Sequence, residues 1–267
     1  METNDLKAIA PAVFRTKEEG AAPGASRHYK FITTLDIIDD MSKLGWNVFT
    51  ASQRNSKKAP ETTKHMVVFR SKEYAQVGGH IPEILLINSH NRTSSFTFHV
   101  GLFRSISNTR LIVNNDTFAN LQLRHMGYSF ESIKATISRI TQHIPDLFET
   151  INLFMGTNLT LDQQTEFALQ SFAIRYPEYT DEKTGIVNMA KIIEHLKPEQ
   201  LLSANRDSDK TDDLWHVFNR IQENLIGGNF QRASAETKTR QPRPIVELGS
   251  NIKINKGLWS LAETYSK

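Results

Sequence analysis

The sequence predicts an α+β protein, with an antiparallel sheet and a short helix in its N-terminal half and mainly helices in its C-terminal half. Two observations predict this. Between residues 46 and 113, runs rich in Val, Ile, Phe and Thr alternate apolar and polar side chains at period two. From residue 128 onward the apolar period lengthens to three and four, and no internal repeat divides the chain.

Taken in order, residues 1–26 mix Ala, Pro, Gly and charge without periodicity and predict a flexible arm. His28–Ile32 alternates like a short strand. Thr33 with Asp36 three residues on resembles a capping box, Leu35, Ile38, Met41 and Leu44 recur at helical spacing, and Gly45 stands where a left-handed cap belongs. Trp46–Ala51 and His65–Arg70 read as strands. Their connector holds Arg54, Lys57, Lys58 and Lys64 against Glu61 alone, so it is either a solvated basic loop or a hairpin tip that follows a phosphate backbone.

The densest strand signal runs from Ile84 to Val113. Phe96, Phe98, Val100 and Leu102 alternate with Thr97, His99, Gly101 and Phe103, and Asn88–Ser94 is a polar connector suited to a hairpin. Arg104 falls out of step, on the face of Phe98 and Leu102. A bulge at Gly101 would re-aim it, an acidic partner would allow its burial, and snorkelling at a strand end would leave it solvated.

In the second half Ile133, Ile137, Ile140 and Ile144 share one helical face, and Pro145 ends or kinks that helix while suiting the first turn of the next. Leu147, Phe148, Ile151 and Phe154 carry that next helix to Gly156. Thr160 with Gln163 opens a further helix bearing Leu161, Ala168 and Phe172, which Pro177 closes. Val187–Leu196 is read as helical. Thr211, ahead of Asp212 and Asp213, is read as starting a helix with Leu214, Val217, Ile221 and Leu225 on one face, which Gly227-Gly228 stops. Residues 229–244 carry Arg232, Lys238, Arg240 and Arg243 against Glu236, with two prolines and no period, and read as a basic flexible loop that is either a solvated linker or an arm that folds onto a polyanion; Leu258, Leu261 and Tyr265 mark a last short helix. The expected division is an arm over 1–26, a β-rich core over 27–125, and a helical portion over 126–267 packed on the sheet.

Composition excludes several functions. With no cysteine there are no disulfides and no thiolate nucleophile or metal ligand, and the cytoplasm is the default compartment. No apolar run reaches membrane-spanning length, and the N-terminus lacks a secretory pattern. A net charge of +3 permits nucleic-acid binding without demanding it. There is no phosphate-cradling glycine loop, no HExxH and no GxSxG, so no metal or other cofactor is expected. Two polar sets remain. His90, Asn91 and His99 lie around one hairpin, where His90 is either a general base or metal ligand or a structural histidine. His216, Asn219 and Glu223 form a stripe on one helix face, either solvated or part of an acid–base site with His90.

HYKFITTLDIIDDMSKLGW, KHMVVFR, PEILLINSHNRTSSF, GLFRSI, DLWHVFNRIQEN followed by Gly227-Gly228, and IKINKGLWSLAE together resemble the phage- and plasmid-associated family of domain-of-unknown-function 932. The likeness runs from about Tyr29 to the C-terminus. The chain departs from the family pattern at Asn91-Arg92, where Asp-Gly is usual, and at Ser107, where Cys is usual. The first change removes a carboxylate from the hairpin tip, and the second argues against a required thiol. The resemblance implies mobile-element biology and no particular reaction. A coarser likeness in topology, a short helix ending in Gly-Trp followed by a strand and a basic hairpin, links the chain to single-strand annealing recombinases of the Rad fifty-two type.

The function expected from the sequence is therefore single-stranded DNA binding and annealing by a homo-oligomer, with no energy cofactor. Arg54, Lys57, Lys58, Lys64, Arg70, Arg92, Arg104, Arg240 and Arg243 would neutralise phosphates, and Trp46, Phe49 or Phe103 would offer stacking faces or fill the core. The alternatives are a metal-dependent nuclease or other nucleic-acid-processing enzyme using His90, Asn91, His216 and Glu223, and a protein that inhibits a host defence complex.

Overall fold

The computed structural model describes residues 3–20, 31–54, 56–74, 76, 79–91, 96–104, 109–113, 122–123, 129–233 and 239–267; at 104, 109–113, 122–123 and 248 the backbone alone is described. The architecture is α+β, and the chain divides into two compact units. Unit 1 comprises Met1–Leu111 and Asp116–Pro145, and unit 2 comprises Ile112–Asn115 and Asp146–Lys267. Among the described residues no helix is long and apolar enough to cross a membrane.

Unit 1 begins with α1 (Thr3–Ile9) and a 3-10 turn, Pro11–Phe14. Over residues 3–20 this corrects the expectation of a flexible arm; residues 1–2 and 21–26 lie outside the described residues. Leu6, Ala10, Ala12 and Val13 are buried, and the Ala12 amide donates to Gln53 Oε1 at 2.9 Å. Seven residues are too few to display a helical period, yet four small or apolar side chains suffice to seat the segment. Residues 28–30 lie outside the described residues, and Phe31–Thr33 belongs to no helix or strand.

The short helix α2 (Thr34–Lys43) follows the sequence closely at its ends. Thr33 Oγ1 accepts from the Asp36 amide at 3.0 Å, and Gly45 adopts φ 81°. Its buried face is Thr34, Ile37, Asp40 and Met41, however, so of the predicted stripe only Met41 is buried, and Leu35, Ile38 and Leu44 are half-buried. Strands β1 (Trp46–Gln53), β2 (His65–Ser71), β3 (His80–Asn88), β4 (Phe96–Arg104) and β5 (Thr109–Val113) form the sheet in that order, with β6 (Gln122–Leu123) pairing β4. The β3–β4 register runs unbroken from His80 opposite Arg104 to Ile87 opposite Thr97, so Gly101 hosts no bulge. The register shift lies instead between Val48 and Thr50 of β1. The side chain of Arg104 is outside the described residues.

Helix α3 (Phe130–Gln142) buries Ile133, Ile137 and Ile140 as its period predicts, and belongs with the sheet, so the division falls after Pro145 rather than at residue 126. Unit 2 consists of α4 (Ile144–Gly156) from Asp146 onward, α5 (Leu161–Arg175), α6 (Met189–Ile193), α7 (Glu199–Leu202), α8 (Leu214–Gly227), a two-stranded ribbon β7 (Arg232–Ala233) and β8 (Thr239–Arg240), and α9 (Leu248–Tyr265). Thr160 and Gln163 form a reciprocal capping box at α5. Leu161, read as an apolar-face residue, is 72% exposed, because it sits in the first turn ahead of the buried Phe167, Ala168 and Phe172. The N-cap of α8 is Asp213, not Thr211; its carboxylate accepts from the His216 amide. The core of the unit is aromatic: Trp215 and Phe218 stack at 5.8 Å, and Trp259 meets both edge-on.

Candidate functional site

The residue types that suit catalysis are each held by partners of their own. His90 is fully buried. Its amide donates to Thr62 O, its Nε2 donates to Ala12 O at 3.0 Å, and its ring lies 5.1 Å from that of His65. A base in that position is shut off from solvent. Asn91 and His99 are half-buried. In unit 2 His216 Nδ1 pairs with Asp213 at 2.7 Å, Asn219 Nδ2 donates to Trp215 O, and Glu223 accepts two bonds of 2.8 Å from Arg206, which also reaches Asp209. The stripe His216–Asn219–Glu223 is thus neither solvated nor assembled into one group. Among the described residues no group of three or more His, Asp or Glu is arranged to hold a metal ion.

The cationic candidates divide. Arg54, Lys57 and Lys58 are exposed on the β1–β2 connector, and Lys64 is half-buried. Arg92 and the Arg104 side chain lie outside the described residues. Arg70 has another role: its Nε and Nη2 both lie 2.8 Å from Glu83 Oε1, and Glu83 is fully buried. The guanidinium carbon is 3.3 Å from the Phe49 ring centroid and 4.5 Å from that of Phe103. The register shift in β1 is what inserts Phe49 here, since it is the extra residue between the Val48–Phe69 and Thr50–Val68 pairs. Trp46 is a core residue stacked on Tyr74.

Unit 2 gathers cations and aromatic rings around a groove of about 490 Å³, lined by the end of α5, the turn Pro177–Tyr179, α6 and the β7–β8 ribbon. Pro177 stops α5, so Tyr176, Glu178 and Tyr179 project from one tight turn. Arg232 lies over the Tyr176 ring at 4.2 Å, and its Nη2 donates to Tyr179 Oη at 3.2 Å and to Glu178 Oε1 at 2.9 Å. Lys191 Nζ sits 5.6 Å from the Tyr179 centroid, and Arg240 is exposed at the lip. His195 clasps the ribbon: its carbonyl accepts from the Ala233 amide, and its Nδ1–H donates to Ala233 O at 3.0 Å. Segment 229–244, expected to be a flexible loop, is therefore anchored where it is described.

Arg175 and Gly228 fix the other end of that segment. Arg175 donates to Leu225 O and, at 2.7 Å, to Arg243 O. Gly228 adopts φ 72° beneath the Pro242 carbonyl oxygen, inside contact distance of any Cβ added there. Only glycine meets both conditions. Gly228→Ala is expected to cost about 2 kcal/mol in urea unfolding, from left-handed strain and the clash, and to raise amide exchange over residues 239–244.

Tyr176, Glu178, Tyr179, Lys191, His195 and Arg232 were not among the residues picked from the sequence for a site. Tyr176-Pro-Glu-Tyr179 at a helix stop and Lys191 four residues before His195 were the available signals, but nothing local ties them to Arg232.

The matched family model, "Domain of unknown function (DUF932)", spans residues 24–255. The chain belongs to this family. Its relatives include two proteins of Escherichia coli (strain K12), UPF0380 protein YfjQ and UPF0380 protein YafZ. Each is 28% identical over 97% of this chain and 89% of its own length. No solved structure matches the chain significantly.

Proposed function

We propose that this DUF932 chain is a single-stranded DNA binding protein of a mobile element that promotes annealing without an energy cofactor. The observation that carries the reading is the groove of unit 2, where Lys191, Arg232 and Arg240 surround the rings of Tyr176 and Tyr179. Phosphates of a single strand are neutralised by such cations while a base stacks on a partly exposed ring such as Tyr176, a combination that tolerates any sequence; Tyr179 is buried and serves to orient Arg232. The exposed Arg54, Lys57 and Lys58 of unit 1 support the reading as a second cationic surface. Arg70 is left out of it, since its charge is spent on Glu83.

Titration of fluorescein-labelled oligo(dT) over about 50–200 mM salt tests the proposal, because neutralised phosphates release counterions. The wild type is expected to weaken steeply as salt rises. Lys191→Ala/Arg240→Ala is expected to bind about three- to tenfold less tightly at low salt and to flatten the log–log slope by roughly 1.4, two contacts at about 0.7 each. Lys57→Ala/Lys58→Ala should flatten it comparably. Sedimentation of the complex is expected to show a ring or filament. A tight monomer indifferent to DNA at every salt concentration would overturn the proposal.

A further inference from the structure

We infer that Glu178 is a built-in competitor for the strand, a carboxylate that holds Arg232 in its phosphate-binding pose and is displaced when a phosphodiester enters the groove. The inference rests on the reading of the groove as a single-stranded DNA site. Three observations carry it. Arg232 is oriented before any ligand arrives: its guanidinium stacks on Tyr176 and donates to Tyr179 Oη, and it is 30% exposed. An arginine presented in this way suits a phosphate oxygen as well as a carboxylate.

The pairing partner, next, can leave without disturbing the fold. Glu178 is 53% exposed and stands in the middle of the Pro177–Tyr179 turn. The backbone of that turn is closed independently, by Tyr179 N to Tyr176 O at 3.2 Å and Thr180 N to Pro177 O at 2.9 Å. Side-chain rotation alone therefore frees Arg232. Among the described lining residues, finally, Glu178 is the sole carboxylate beside three cations, Lys191, Arg232 and Arg240. Its charge lowers the groove's attraction for any anion, and only a ligand that replaces its bond to Arg232 recovers the full cationic site.

The consequence is moderated affinity and easy release. A strand bound at Arg232 is opposed by the displaced carboxylate beside it, which favours letting go once the strand has found its complement. Glu178→Gln keeps the shape and an oxygen for Arg232 while removing the competing charge. It is expected to tighten oligo(dT) binding about two- to fivefold, the scale of one exposed ion pair, to steepen the salt slope, and to slow release of annealed duplex. Glu149→Gln, an exposed acid of α4 outside the groove lining, controls for net charge and is expected to leave binding unchanged. If Lys191→Ala/Arg240→Ala weakens binding but Glu178→Gln matches the wild type, or Glu149→Gln tightens binding equally, the role of Glu178 is lost and the DNA-binding reading stands. If neither wild type nor Glu178→Gln shows salt-sensitive binding, both fall.

Discussion

Arg70→Ala is expected to lower the unfolding free energy by about 3 kcal/mol, the lower part of the range for breaking a buried ion pair. Glu83 is fully excluded from solvent, whereas the Arg70 side chain keeps 18% of its exposure, and that residual hydration is the reason to expect the lower part. The variant withdraws the guanidinium from a carboxylate that water does not reach, and removes the cation between the rings of Phe49 and Phe103. Arg70→Met/Glu83→Leu, which deletes both charges and fills the space, is expected to recover most of the loss, because a buried pair gains little over well-packed apolar side chains. Urea unfolding of the three proteins checks this. Full stability in Arg70→Ala together with lost oligo(dT) binding would return Arg70 to the list of phosphate contacts.

That residue also marks the boundary of what was legible in the sequence. Features decided within one helical turn could be read: the Thr33 cap and Gly45 stop of α2, the Thr160–Gln163 box of α5, the isoleucine stripe of α3, and the alternation of β4. The α+β order followed from the same local periods. The ion pair of Arg70 is not legible in the sequence because it depends on Glu83, thirteen residues away, and on a register shift in β1 that no residue type announces. A bulge at Gly101 is one of the three readings that the sequence offers for Arg104, because a glycine invites it, yet β4 passes that point in register.

The candidate site was less legible than the fold for the same reason. Arg232 meets Glu178 and Tyr179 across more than fifty residues, and only the folding of α5, α6 and the ribbon onto one another brings Lys191 and His195 to the same groove. Arg240, read from the sequence as a phosphate contact of a flexible basic segment, is exposed and belongs to the groove lining. His90 was chosen from its polar surroundings, Asn88 to Ser94, and that polarity has a structural outlet: Asn88, Ser89 and His90 are all buried, and Asn88 and His90 bond the start of α2 and the N-terminal turn.

The network around His90 leads to the second large effect, a loss of stability of about 3 kcal/mol as pH falls from 6.5 to 4. Within it, His65 Nδ1–H donates to Thr63 O at 3.0 Å, so the neutral ring offers Nε2 to the Thr34 hydroxyl at 2.8 Å, and Thr34 Oγ1 in turn accepts from Asn88 Nδ2. A proton added at Nε2 would confront the hydroxyl proton and bring a charge into the core beside the His90 ring. Burial accordingly pushes the His65 pKa down from 6.5 to about 4. Above pH 6.5 the folded and unfolded chains both hold His65 neutral, and its full contribution to stability is present. Between 6.5 and 4 the unfolded chain binds a proton that the folded chain refuses, and stability drains at up to ~1.4 kcal/mol per pH unit. Below about 4 the loss from this residue stops growing. Carboxylates titrate near the lower end of the same window, so the comparison that isolates His65 is with His65→Gln, which retains an acceptor for Thr34 and does not titrate. Its unfolding free energy is expected to fall less steeply with pH by one proton across the interval, and parallel curves for the two proteins would show that His65 accepts its proton in the folded state after all.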